Sequence, residues 1–445
     1  MSEQIKSSYE LVIGLDRSDR KADLHYLDTR DGRQWSATIG TSPEALDAWL
    51  AQLRDEHPDT AIGLIVEQPA AAILTFLQGR PGLAIHAINP VTLQKFREAF
   101  VVSRAKDDAK DAFYLAQLLA HHAERLPRWQ PEDGATAVLG QMVLDRRMLI
   151  DERTSLTNRL KDLLKRHFPQ ALQLCGDDLW RPLALDFLGR WPTLAQVQAA
   201  RPQTLRSFYH SHGSRSQRLL DQRLQTISGA VDLVADQALL HSYKICLQCI
   251  VAQLRVLNRS LAQFDKEISA AFAGHADHAI YDSFPGAGPT LAPRLLVGMG
   301  SQRERFANAA DLQQASGIAP VTKQSGRSHL VHRRYLCSRF LRQTFHEYAN
   351  QSILHCRWAA AYYLQQRRKG AQHHTAVRAL AFKWQRVIFR CWQDHLPYDD
   401  QAFEASLQKR NSPLYQLLNN IEVGKNPFTQ EQNKIQKPLA GSPQR

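Results

Sequence analysis

A chain of 445 residues with 44% hydrophobic and 22% charged side chains is too long for one ordinary core and too apolar to be disordered. Lys and Arg outnumber Asp and Glu by 56 to 43, and the resulting net charge of +13 favours a polyanionic partner, nucleic acid being the economical candidate. The N-terminus is polar, no apolar run reaches the roughly 18 residues a bilayer crossing needs, and the six cysteines are scattered, so a cytoplasmic protein without membrane spans or a disulfide framework is expected.

Residues 10 to about 125 alternate strand and helix signals. Strands are predicted at 10–16, 22–27, 33–39, 61–67 and 84–88, and helices from Ser42-Pro43-Glu44, about Ala70, Pro90 and Asp107. Three closely spaced strands followed by alternating helices and strands predict a mixed sheet, in the order of an RNase-H-like α/β fold, over 1–130. Asp16 ends the apolar run Glu10-Leu-Val-Ile-Gly-Leu-Asp16, and Glu67 ends Ala61-Ile-Gly-Leu-Ile-Val-Glu67, so each strand carries a carboxylate at its C-terminal tip. Asp108 and Asp111 open the next helical stretch on one face. Hard divalent cations need oxygen ligands, and a pair of such ions can clamp the attacking and leaving oxygens of a phosphodiester. The quartet therefore predicts phosphoryl transfer on nucleic acid with Mg²⁺, for which Mn²⁺ is the natural substitute.

From about 133 to 270 the pattern changes to long helices, in a segment spanning 131–275. Leu247, Leu254, Leu261 and Ile268 recur every seven residues, with Ile250, Leu257 and Phe264 at the second seam position. An earlier helix, about 136–167, has Met142, Leu149, Leu156 and Leu163 at one seam position but Arg146 and Arg153 at the other. The stripe serves an intramolecular helical hairpin or a dimerisation coiled coil equally well. Between the two, Cys175 to Ser214 is rich in breakers and predicts shorter helices and turns. Cys246 and Cys249 have no second pair nearby, so they read as buried core cysteines and not as half of a zinc site.

A C-terminal domain over 276–400 begins at Tyr281. Pro285-Gly286-Ala287-Gly288 before a helix reaching about Met299 has the form of a helix-hairpin-helix turn, in which Gly286 and Gly288 would let backbone N–H groups approach a DNA phosphate. From Leu312 to His346 there is no Asp or Glu, while Lys323, Arg327, Arg333, Arg334, Arg339 and Arg342 are present with His329, His332 and His346, a pattern that fits a phosphate-contacting surface. Within it, Lys323-Gln-Ser-Gly-Arg-Ser-His329 reads as a polar loop. A serine there becomes a nucleophile only if its proton is removed and the developing charge is stabilised. Residues 401–445 read as a mostly flexible basic tail.

Asp16 after a strand, Glu67 in Val-Glu-Gln-Pro, Lys106-Asp-Asp-Ala-Lys-Asp-Ala112, the central helices, Pro285-Gly-Ala-Gly-Pro289 and Gln324-Ser-Gly326 stand in the order and spacing of the DEDD transposases of insertion-sequence family 110. The resemblance covers roughly residues 8–395. It implies a RuvC-like RNase H domain, a helical dimerisation segment and a transposase domain with a reactive serine. The implied activity is site-specific recombination of donor and target DNA, guided by a structured bridge RNA and carried out by a homodimer that assembles to a tetramer. Carried over by position, Asp16, Glu67, Asp108 and Asp111 bind Mg²⁺, and Ser325 attacks the phosphodiester to give a serine–DNA linkage. The acidic quartet and the serine would meet across protomers. Lys106 and Arg327 become phosphate contacts.

Three positions depart from the pattern. Asp107 precedes Asp108 where Thr or Ser is usual, and Asp108 is chosen because Asp108, Asp111 and Ala112 match Asp-x-x-Asp-Ala. Asp19 replaces the lysine usual after the first Asp and reads as a turn residue. His329-Leu-Val-His-Arg-Arg-Tyr335 replaces the usual glycine-bearing basic stretch, which leaves Ser328 as the alternative hydroxyl. The competing reading is a metal-dependent RuvC-like junction nuclease, or a nucleic-acid-binding protein, without serine chemistry.

Overall fold

A computed structural model describes residues 8–68, 71–77, 80, 82–100, 108–326, 328–418, 421 and 424; the side chains of residues 71, 72, 108 and 109 lie outside the description. The chain divides into two compact units, Met1–Pro131 and Glu132–Arg445.

The first unit is an RNase H-like α/β domain built on a mixed five-stranded sheet. Its strands are β1 (Leu11–Arg17), β2 (Lys21–Asp28), β3 (Gln34–Gly40), β4 (Ile62–Glu67) and β5 (Leu83–Ile88), in the order β3-β2-β1-β4-β5. The β1–β2 and β2–β3 pairs are antiparallel, and the β1–β4 and β4–β5 pairs are parallel. Helices α1 (Pro43–Glu56), α2 (Ala71–Leu77), α3 (Pro90–Glu98) and α4 (Asp108–His122) complete it. Ser42 caps α1 by accepting from the Ala45 N–H, with Pro43 at the first turn. Alternate residues along β1 feed opposite faces. Leu11, Ile13 and Leu15 join Leu46, Trp49, Leu50 and Leu53 of α1 in one core, while Val12 joins Leu115, Ala116 and Leu119 of α4 in the other.

Gly14 explains how α4 reaches the sheet. A Cβ at this position would sit 2.0 Å from the Ala112 backbone oxygen and 2.6 Å from the Ala116 nitrogen. The missing side chain therefore lets a helix backbone lie directly on β1, two residues before Asp16. Gly14→Val is expected to destabilise this unit by roughly 2 kcal/mol or more, in the range of core overpacking. Urea unfolding followed by near-ultraviolet circular dichroism measures it, and an unchanged midpoint would contradict the close approach.

The second unit is helical. Helix α5 (Gly134–His167) leads into α6 (Ala171–Cys175), α7 (Pro182–Arg190), α8 (Leu194–Gln198), α9 (Pro202–Ser211) and α10 (Gln217–Ser228), and α11 (Gln237–Ala273) runs back. Thr136 bonds to His275, Arg146 pairs with Asp265, Arg153 reaches Asn258 and His167 stacks on Tyr243. One residue number falls as the other rises, so α5 and α11 are antiparallel. The heptad stripe takes the intramolecular alternative: Leu247, Ile250 and Leu254 share a core with Leu160, Leu163, Leu164 and the short helices, and Ile268 packs with Leu139 and Val143. Arg146 and Arg153, which interrupt the seam of α5, find polar partners on α11 and a Trp180 ring 3.9 Å from the Arg153 guanidinium carbon.

The expectation of buried cysteines fails here. Cys246 and Cys249 are both exposed. Each lies one residue before a seam position, Leu247 or Ile250, so the rotation that buries the leucine and isoleucine turns both thiols to solvent.

The rest of the unit comprises α12 (His278–Asp282), α13 (Gly288–Met299), α14 (Ala309–Ala315), the two-stranded ribbon β6 (Val321–Ser325) and β7 (Ser328–His332), and then α15 (Arg339–His355), α16 (Arg357–Arg368), α17 (His373–Asp394), α18 (Asp400–Lys409) and α19 (Pro413–Leu418). Its core centres on fully buried Trp384, whose ring lies 4.5 Å from that of Trp358 and whose Nε1 donates to Ser352 Oγ at 2.8 Å. Among the described residues no helix is long and apolar enough to cross a membrane.

Candidate active site

In the first unit, parallel pairing places Leu15 opposite Val66. The next residues, Asp16 and Glu67, therefore emerge side by side at the ends of adjacent strands, and both are half-buried. The close seating of α4 over Gly14 brings Ala112, the residue after Asp111, onto β1. Asp111 is buried, and Arg97 Nη1 from the end of α3 donates to its Oδ1 at 2.7 Å. With side-chain exposures of 19% and 5%, this pair is screened little by water. Arg97 thus supplies positive charge at one of the predicted metal ligands, a contact that sequence reading missed because only the α3–α4 packing creates it.

The predicted quartet, carboxylates without sulfur or imidazole, would be a hard donor set of the kind Mg²⁺ takes. Asp16, Glu67 and Asp111 are all described, yet among the described residues no group of three or more His, Cys, Asp or Glu could hold a metal ion, so these three are not gathered into a site; the Asp108 side chain lies outside the described residues. Lys106 and Asp107 also lie outside the described residues, as does Arg327. Asp19 sits in the exposed turn between β1 and β2, as the sequence suggests.

In the second unit, the stretch read as a polar loop is a β-hairpin. Strands β6 and β7 pair antiparallel with Ser325 opposite Ser328, and Gly326 turns the corner at a φ of +55°, in the left-handed region open to glycine. The loop reading fails because nearly every residue of both strands is exposed, so the sequence lacks the apolar alternation that marks a half-buried strand. The ribbon presents both serines at its solvent-facing tip. Lys323 and Arg333 are exposed beside it, Arg334 is half-buried, and Arg339 opens α15.

The glycine pair before α13 divides in role. Both have positive φ, +80° at Gly286 and +55° at Gly288. A Cβ on Gly286 would lie 2.7 Å from the His355 ring, so this glycine admits a packed side chain, whereas Gly288 faces open space at the helix start.

Two family models match the chain: a DEDD transposase model over residues 13–169, and a transposase model of the IS116/IS110/IS902 family over residues 278–364. The mini-circle transposase named for IS117 of Streptomyces coelicolor is 30% identical over 91% of this chain and 99% of its own length. A 43.6 kDa protein of the insertion element IS110 from the same organism is 26% identical over 76% and 83% of the two chains. A 44.8 kDa protein of IS116 from Streptomyces clavuligerus is 26% identical over 82% and 90%. Fold and relatives together define a transposase, an enzyme of DNA transposition. Within that class, the chain belongs to the IS116/IS110/IS902 family.

Proposed function

We propose that the chain is the site-specific recombinase of an insertion sequence, cutting and rejoining donor and target DNA through a serine–DNA intermediate under the guidance of a structured bridge RNA. The observation that carries the serine step is the β6–β7 ribbon, which lifts Ser325 to a solvent-facing tip inside a stretch without acidic residues. Asp16, Glu67, Asp108 and Asp111 hold Mg²⁺, which supplies charge stabilisation at the phosphodiester oxygens when bound. Ser325 Oγ forms a bond to phosphorus as the bond to one deoxyribose oxygen breaks; the hydroxyl proton passes to solvent and the released oxygen takes one up. Rejoining reverses these steps, so the linkage conserves the energy of the phosphodiester. Lys323, Arg327, Arg333, Arg334 and Arg339 hold the strand by its phosphates, with Lys106 beside the acidic pair and Gly288 at the start of α13.

The active form is a homodimer that assembles to a tetramer, in which acidic site and serine come from different protomers. The test incubates the protein with Mg²⁺, donor and target DNA, and RNA transcribed from the non-coding DNA flanking the gene. A denaturation-resistant protein–DNA adduct that requires the RNA is expected. Cleavage without an adduct would establish the junction nuclease instead.

A further inference from the structure

Beyond the ribbon, β7 runs directly into Arg333, and this arginine lines a cavity of about 400 Å³ with Arg342 and His346 of α15 and His374 and Arg378 of α17. Three guanidiniums thus converge from a loop and two helices. The acidic residue on the wall is Glu347, and its carboxylate is already engaged by Arg294 and approached by Arg147 at 3.8 Å. Among the described residues no carboxylate forms an ion pair with Arg333, Arg342 or Arg378. Among the described residues the Arg342 guanidinium contacts a sulfur, from its Nη1 to Cys337 Sγ at 3.3 Å.

Such an arrangement opposes the stability of the free protein. Burial holds the Arg378 guanidinium below its usual pKa, and the charges of Arg333 and Arg342 push it further down. Burial likewise lowers His346, and His374, Arg378 and His373 repel its proton against a favourable backbone hydrogen bond at His374. The His346 and His374 rings lie 5.7 Å apart. Like charges packed together with no carboxylate at ion-pair distance are characteristic of binding sites, where the ligand supplies what the protein lacks.

We infer that this cavity is a phosphate-binding pocket that takes one backbone phosphodiester of the nucleic acid threaded past the serine ribbon. Planar guanidiniums suit a phosphate by forking onto two of its oxygens, and the two imidazoles can each donate one N–H. The place in the fold sets a register. From Ser328 to Arg333 the extended chain covers roughly 16 Å at about 3.3 Å per residue, or about five nucleotide steps at roughly 3.4 Å per step along a duplex strand. A phosphate gripped at Arg378 would therefore fix which phosphodiester reaches the ribbon tip. The pocket rests on the chain handling nucleic acid, and does not depend on serine chemistry.

The test uses full-length protein, Arg342→Gln and Arg378→Gln, with Lys161→Gln on α5 as a charge-matched control. Binding of DNA and RNA oligonucleotides of the same sequence is followed across a salt series, and thermal unfolding is followed with and without inorganic phosphate. Each pocket variant is expected to weaken binding about tenfold whatever the sequence and to reduce the log–log salt slope by about 1 for the strand that occupies the pocket. A slope change with DNA alone or RNA alone identifies the source. Without ligand, Arg378→Gln should melt at or above the wild-type temperature, because a repulsion is removed. Phosphate should raise the melting temperature of the wild type more than that of either variant. Salt slopes that match Lys161→Gln for both polymers, or a lower melting temperature without loss of binding, would overturn the pocket. A protein that keeps these slopes but forms no DNA adduct would leave the pocket standing and remove the serine reading.

Discussion

With Asp16 replaced by alanine, strand cleavage is expected to fall by at least about 10³-fold, while DNA affinity stays within about twofold at fixed salt. The asymmetry follows from where the charges lie. Asp16 is the last residue but one of β1 and the neighbouring β4 ends in Glu67, so the parallel register puts the two residues at adjacent strand ends. Under the proposed chemistry both are ligands of one ion-binding cluster, so losing either removes the charge that stabilises the reacting phosphate. Under the same proposal binding is carried elsewhere, by the segment from Leu312 to His346, which holds no Asp or Glu. Single-turnover cleavage and filter binding, measured on the same preparation, separate the two. Cleavage within tenfold of wild type would sink the metal-site assignment, and a parallel loss of binding and cleavage would show instead that the strand end shapes the fold.

Asp111 adds a finer expectation to the same experiment. Its bond to Arg97 means that this proposed ligand already has a cationic partner. Removing Asp111 leaves that arginine, only 19% exposed, without its carboxylate. Asp111→Ala should therefore cost stability as well as activity, of the order of 3 kcal/mol if the pair behaves as a buried ion pair.

What sequence alone made legible follows from which signals are local. Strand ends at Asp16 and Glu67 could be read because buried β-strands are apolar runs that stop abruptly, and the observed β1 and β4 begin and end within one residue of the expected bounds. The cap at Ser42 and the heptads of α11 were likewise local patterns. The Arg97–Asp111 pair was not, because it exists only once α3 and α4 pack. Cys246 and Cys249 read as buried because their sequence neighbourhood is apolar, whereas the heptad phase turns both outward. The ribbon was missed for the opposite reason: a strand exposed on both faces carries no alternation to detect. The pocket was half-visible, since Arg333 and Arg342 belong to the basic run, but His374 and Arg378 join them from a helix that begins at His373.

Ser325→Ala is expected to abolish the protein–DNA adduct, a loss of about 10⁶-fold if the hydroxyl is the nucleophile, on the scale seen when an attacking serine is removed from other enzymes. Ser328→Ala is the matched control, and the hairpin makes the pair unusually clean. The two residues face each other across one turn, both exposed, in the same ribbon and the same basic surroundings. Neither truncation opens a cavity, so both variants should unfold like wild type, and any difference reports chemistry. Gly326 must remain in both, because its φ of +55° sets the turn. If only Ser325→Ala loses the adduct, the nucleophile is Ser325. If only Ser328→Ala does, the attacking hydroxyl lies on the other strand of the same ribbon. If both variants form the adduct at the wild-type rate, neither serine is the nucleophile, and the acidic quartet must act by hydrolysis or through another group.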